Sequence, residues 1–378
     1  MNPVYLDYNA TTPIAPEVLQ AMLPYLRQYF GNPSSGHDYG VEPARAMRRA
    51  RAQVAACLGA QPNEILFTSG GTEANNHAII GAARAMRQRG HHIITQTTEH
   101  PAVVNVCRFL ERDGWQVTWL PVSSEGMVNP DDLRRALTQR TVLVSIMTAN
   151  NETGTLLPVA ELAALTHEAG ALFHTDAAQA VGKIPVDVGE SGVDLLTVAG
   201  HKLYAPKGVG ALYVRSGTPL ENILHGAGQE DGRRPGTENV PYAVALGAAC
   251  ELVNADLPRH AERLAALRDR LWNALVAAGL NMRRNGHPVH RLPNTLSVAF
   301  RGLNAHDLLA EIADDVAASA GAACHSDSVD ISPVLAAMGV KTEDALGTVR
   351  LSVGRYTTEG EADRAAAAII AAADALHR

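Results

Sequence analysis

The sequence predicts an α/β protein: a large domain built on a mostly parallel β-sheet, followed by a smaller α+β domain. Three observations predict it. Short apolar, β-rich runs alternate with helical patterns through the first two thirds of the chain. Glycine-rich or polar residues follow directly after several of those runs. The chain has 378 residues, 46% of them hydrophobic, which is too long for one comfortable core. The expected division is 15–255 for the large domain, with 1–14 and 256–378 forming the small one.

Taken in order, 65–68 (ILFT) reads as a short buried strand. Gly70-Gly71 then breaks the chain, and a helix opens near Thr72. Further strands are expected at 92–95, 117–120, 142–147, 172–175 and 195–198, with helices between them such as 159–168, closed by Gly170. Such sheets are covered on both faces, and ligands collect beyond the carboxyl ends of their strands. The stretch 226–236 (GAGQEDGRRPG) is loop-like and charged, and one long helical stretch is expected over 240–278. The small domain then reads as a strand at 296–300, a helix from Ala305, a strand ending near Ser319 and a strand at 348–352. No internal repeat is present.

The net charge of −7 argues against a duplex-binding surface or a basic membrane-surface helix. No apolar run approaches the roughly 20 residues of a spanning helix, and the start MNPVYLDYNATT lacks a leader pattern. Four widely spaced cysteines form neither a disulfide framework nor a Cys-x-x-Cys metal signature. A cytoplasmic setting, without nucleic acid, membrane or metal, is the expectation.

Cys57, Cys107 and Cys250 sit within helical apolar spacing and read as small buried hydrophobes. Cys324 differs. Its segment, SAGAACHSDSVD over 319–330, lacks periodicity and is rich in small and polar residues, so it reads as a solvated loop. A thiol there can ionise and act as a nucleophile.

The sequence holds four lysines: Lys183, Lys202, Lys207 and Lys341. A lysine is ordinarily a solvated surface charge. Lys202, however, follows the expected strand 195–198 through Ala199-Gly200-His201, which puts an amine at the carboxyl edge of the sheet. Asp176 likewise follows a strand, and a buried carboxylate there needs a cationic partner. A pyridinium nitrogen is one, and the pairing keeps such a ring protonated as an electron sink. Gly71 and Thr72 open a helix whose free N–H groups favour a phosphate. His100 offers a flat ring and a titratable nitrogen. Together these are the parts of a pyridoxal 5'-phosphate (PLP) site.

At these residues the sequence resembles the class V PLP family containing cysteine desulfurases of the NifS/IscS type and selenocysteine lyases. The matching motifs run from end to end: YLDYNATT over 5–12, FGNPSS over 30–35, TSGGTEANN over 68–76, Glu99-His100, NNETG over 150–154, HTDAAQ over 174–179, Gly200-His201-Lys202, RPGT over 234–237, the Cys324 segment, and RLSVGR over 350–355. The resemblance implies a PLP-dependent transferase of fold type I, with a mostly parallel seven-stranded-type sheet, normally a homodimer. It implies that Lys202 carries the cofactor as a Schiff base and Asp176 holds its pyridine nitrogen. Gln179 would meet its phenolic oxygen, and His100 would stack on the ring and shuttle protons. Gly71, Thr72 and His201 would bind phosphate, while Thr237 would reach the partner subunit's cofactor. Asn151 would contact the cofactor and, with Arg350, grip the substrate carboxylate, the arginine by a two-pronged fit.

The implied reaction converts L-cysteine to L-alanine and leaves the sulfur as a persulfide on Cys324, for transfer to an acceptor protein. Two departures point toward the alternative, release of selenide from L-selenocysteine. Ala199 stands where most desulfurases carry a serine, which removes a hydroxyl worth about 1 kcal/mol of cofactor affinity. The segment GAACHSD over 321–327, with Gly228-Gln229-Glu230, looks more like a selenocysteine lyase. A class V aminotransferase or β-lyase would make Cys324 dispensable. A non-catalytic sulfur-relay scaffold would need none of Lys202, Asp176, His100 or Cys324.

Overall fold

The computed structural model describes residues 2–377 except 326 and 327; the side chains of 322–330 lie outside the described residues. Its centre is a seven-stranded sheet in the order Ile65–Thr68, Gly210–Val214, Leu195–Ala199, Leu172–Asp176, Thr141–Ser145, His92–Gln96 and Gln116–Leu120. Gly210–Val214 runs antiparallel to both neighbours, and every other pairing is parallel. That antiparallel strand was not foreseen, and the strand expected at 142–147 ends earlier, at Ser145.

Successive residues of these strands pack to opposite faces, as the two-residue period of a strand requires. Leu66, Ile93, Leu143 and Leu195 join one apolar cluster, while Phe67, Ile94, Val144 and Leu196 join the other. With both faces covered, the strands hold charge only at an end, at Asp176; the mid-strand His174 is kept neutral by burial and is hydrogen-bonded to Ser145 and Thr197. Glycine is required at one crowded point. A Cβ on Gly210 would lie 2.5 Å from the Val198 carbonyl oxygen and 2.8 Å from Gly70.

The stretch expected as one helix over 240–278 is two, Val240–Asn254 and Leu257–Ala277, bent by 77° at the break. Pro258 lies in the first turn of the second helix. Its ring would collide with the carbonyl of Asn254 if the first helix continued, so the chain turns instead.

A separate four-stranded antiparallel sheet has the order Ser319–Ala320, Thr348–Ser352, Thr295–Phe300 and Met282–Asn285. Its own core gathers Leu271, Val298, Phe300, Leu308, Leu351 and Ile369. Val4 and Leu6 belong to this core, and Val4–Tyr5 pairs in parallel with Val316–Ala317. The N-terminal segment is thereby stitched to the C-terminal part before it crosses to the large sheet. The backbone at Ala322–His325 pairs antiparallel with Ser328–Ile331, so Cys324 lies in a strand pair.

Candidate active site

A cavity of about 320 Å³ opens where the carboxyl ends of the central strands meet the N-terminal segment and the small sheet. It is lined by nine of the residues singled out above: Gly71, Thr72, His100, Asn151, Asp176, Gln179, His201, Lys202 and Arg350. Thr237 does not line it; that residue is exposed beside a smaller cavity bordered by Gly236 and Glu238. The Cys324 thiol lies outside the described residues.

Asp176 ends the strand Leu172–Asp176 and is only 6% exposed. Its Oδ2 accepts from Asn75 Nδ2 at 2.7 Å, and its Oδ1 accepts from the Ala178 N–H at 2.9 Å. Both donors are neutral, and among the described residues no cation comes within ion-pair distance. A buried carboxylate so placed fits a ligand that brings a positive nitrogen.

Lys202 closes a 3-10 turn, Gly200–Lys202, directly after the strand Leu195–Ala199. Its Nζ donates to the carbonyl oxygens of Asn9 at 2.5 Å and Ala10 at 2.7 Å. Burial, helped by the Arg350 charge, pulls its pKa from 10.5 down to about 8, against the opposite pull of Asp176 and Asp7. The amine is therefore close to losing its proton near neutral pH, as a base or nucleophile requires.

His100 caps the helix Pro101–Arg112, its Nδ1 accepting from the Ala102 N–H at 3.1 Å. Nδ1 is thus the acceptor, and in the neutral ring the proton sits on Nε2. Burial lowers the pKa of His100, opposed by Asp176 and assisted by Lys202. His201, whose Nδ1 lies 3.2 Å from Thr11 Oγ1, is pushed to about 4 by burial and by Lys202 and Lys207. Its ring is neutral at physiological pH.

The helix Gly71–Ala85 begins at the cavity after Gly70, whose φ of +152° suits glycine. A Cβ on Gly71 would sit 3.2 Å from the Ala199 Cβ, so the turn and the strand end nearly touch. First-turn N–H groups have no helical partner and make an anion cradle. Ala199 lines this cradle without contributing a hydroxyl.

Arg350, midway along Thr348–Ser352, donates through Nη2 to Asp7 Oδ1 at 2.7 Å and Ser319 Oγ at 3.2 Å. Its Nη1 donates to the Asn151 carbonyl at 3.1 Å. The guanidinium is held in place from both sides of the cavity.

Sequence reasoning missed Asn9, Asn75 and Lys183. Asn75 stands four residues after Gly71, one helical turn on, and so faces the same side. Asn9 lies inside the motif over 5–12, but nothing in its spacing shows that this segment crosses to Lys202. Lys183 sits among Val181, Gly182 and Ile184, an apolar setting unusual for a surface lysine.

Fold and site together define an enzyme with a strand-end amine, a buried carboxylate opposite and an anion cradle between them. The chain belongs to the class V aminotransferase family, which it matches over residues 4–365. That family is PLP-dependent, and the residues here fit the cofactor. Within it, the chain is 48% identical to cysteine desulfurase 2 of Trichormus variabilis over 96% of its own length and 91% of that protein's. Among solved structures it resembles a NifS-like protein, with a TM-score of 0.92, 36% identity and coverage of 98% and 99% of the two chains. It also resembles SspA in complex with cysteine, with a TM-score of 0.82, 35% identity and coverage of 94% and 99%.

Proposed function

We propose that this protein is a PLP-dependent cysteine desulfurase, converting L-cysteine to L-alanine with transfer of the sulfur. The observation that carries the reading is the half-buried Lys202 amine, drawn down to about 8, in one cavity with the buried carboxylate of Asp176, which has no cationic partner among the described residues.

Lys202 would hold the cofactor covalently, Asp176 its ring nitrogen, and Gly71, Thr72 and His201 its phosphate. His100 would lie against its ring and Gln179 would meet its phenolic oxygen. When bound, the cofactor supplies an electron sink for the substrate's α-carbon. Arg350 and Asn151 bind the substrate carboxylate and orient the Cα–H bond. Displaced by the substrate's amine, the freed Nζ of Lys202 takes the Cα proton, which its lowered pKa permits. His100 holds a proton on Nε2 beside the same space. The Cys324 thiolate attacks the substrate sulfur. An S–S bond forms, the substrate C–S bond breaks, and its electron pair stays on carbon, which takes up a proton and departs as alanine. The persulfide on Cys324 then passes to an acceptor protein.

A second copy of the chain completes the assembly in this reading, with Thr237 turned toward the partner's cavity. Phe30, 74% exposed, and Tyr39, 66% exposed, lie 5.7 Å apart between ring centres and support a covered apolar face.

The test is alanine formation from L-cysteine and from L-selenocysteine, with wild type and Cys324→Ala. Cysteine turnover is expected to vanish in the variant while the bound cofactor's visible absorbance persists. Undiminished sulfide release would rule out the persulfide route, and a strong preference for selenocysteine would move the reading to the lyase.

A further inference from the structure

Lys183 has no part in the chemistry above, yet it is 5% exposed and stands behind the cavity wall. Its Nζ donates to Gln179 Oε1 at 2.5 Å and to Asn9 Oδ1 at 3.2 Å. Among the described residues no carboxylate comes within ion-pair distance of it. Burial pushes its pKa well below 10.5, and the charged groups that face it, Lys202 and Arg350, push the same way. A neutral amine has two N–H bonds, and two acceptors are present. The uncharged form is therefore fully satisfied where an ammonium would leave a donor over.

This contact decides which way Gln179 faces. A carboxamide can be turned over, exchanging its oxygen and its nitrogen. The Asn9 carbonyl on one side of the carboxamide needs a donor, and the Lys183 N–H on the other needs an acceptor, so the Gln179 atom 2.5 Å from Lys183 is the oxygen. Nε2 is then on the other side, where it donates to the Asn9 carbonyl at 2.9 Å and keeps a second N–H. Asn9 cannot turn over either. Its Oδ1 also accepts from Asn294 Nδ2 at 2.9 Å, and its Nδ2 donates to Thr295 Oγ1 at 2.8 Å and the Asn151 carbonyl at 3.1 Å.

We propose that Lys183 is a positioning residue of this site, fixing the Gln179 carboxamide in the one orientation that turns an N–H donor into the cavity, toward an anionic oxygen of the group bound there. The inference rests on the cofactor reading above. A donor at that oxygen stabilises its deprotonated form, so losing the donor makes the oxygen more basic.

The experiment compares wild type, Lys183→Met, Gln179→Ala and the double variant as full-length enzyme. Each holoenzyme's visible band is titrated with pH, and each stripped enzyme is then titrated with PLP. Lys183→Met is expected to raise the pH midpoint of the band by about half to one unit and to weaken PLP binding roughly five- to tenfold. The double variant is expected to be no worse than Gln179→Ala alone, because Lys183 acts through that residue. An unmoved midpoint in Lys183→Met, or additive losses in the double variant, overturns the proposal. Should Lys183→Met not fold, Lys183→Gln replaces it; its shorter side chain cannot span both acceptors, so the midpoint rises in the same direction. A wild-type midpoint there also overturns the proposal. Absence of any visible band when PLP is added to wild type defeats the cofactor reading itself. A normal wild-type band beside an unmoved variant defeats only the role of Lys183.

Discussion

The two sheets bring polar groups to the cavity in different ways. In the central sheet they come from strand ends: Asp176 closes one strand, and Lys202 and His100 stand in the turns just past two others. In the small antiparallel sheet Arg350 comes from mid-strand, opposite Ser297 and Ser319 on its two neighbours. The difference follows from coverage. A parallel sheet with helices on both faces can hold charge only where its strands run out. The small antiparallel sheet turns one face to its apolar core. Its other face is buried but polar, carrying Thr295, Ser297, Thr348 and Ser352, so a charge can stand mid-strand there. The strand ends thus supply the groups suited to a cofactor, and the polar face of the small sheet supplies one suited to a substrate carboxylate.

That contrast can be broken by substitution. The largest effect is expected at the strand ends. Lys202→Ala should lose the cofactor's visible band and reduce cysteine turnover by at least about 10³-fold, since it removes both the anchor and the base. An unchanged spectrum would take Lys202 out of its role. Arg350→Lys should act on substrate alone, raising KM on the order of ten- to a hundredfold through loss of the planar fork while the visible band stays as in wild type. A weakened band would show that the small sheet also holds the cofactor.

The smallest effect concerns Glu99, beside His100. Burial raises its pKa to about 8, with Asp176 pushing the same way and the Met147 N–H and Gln96 opposing. A carboxyl whose folded pKa is raised stabilises the fold below its unfolded value near 4.5. That contribution is lost as pH rises through about 8. Glu99→Gln keeps the acceptor that Met147 and Gln96 use, so stability at pH 5 should change by only about 1 kcal/mol or less. The decline in stability between pH 5 and 8 should flatten, as read by denaturant melts at several pH values. A decline equal to that of wild type would place the titration elsewhere.

Much of the central sheet was legible because its signals are local. Apolar runs bounded by glycine and polar residues gave five of its strands to within two residues, and the sixth, Ile65–Thr68, in full. Gly210–Val214 escaped because a buried antiparallel strand carries the same apolar signature as its surroundings and no alternation. The helix break near residue 255 was missed for another reason. Apolar periodicity on either side of Pro258 masks a proline that starts one helix as easily as it ends another.

What the sequence by itself determined is the chemistry at strand ends: which residues follow each buried run, and hence that an amine, a carboxylate and an anion cradle share one edge of the sheet. Chain order and hydrophobic period suffice for that. What only the tertiary structure decided is how those groups are held. Asn9 reaches Lys202, Gln179, Lys183 and Asn294 across separations of 170 to 285 residues. Each such bond depends on the N-terminal segment being pinned to the small sheet, and no local pattern encodes a contact whose partners meet only after both cores have packed.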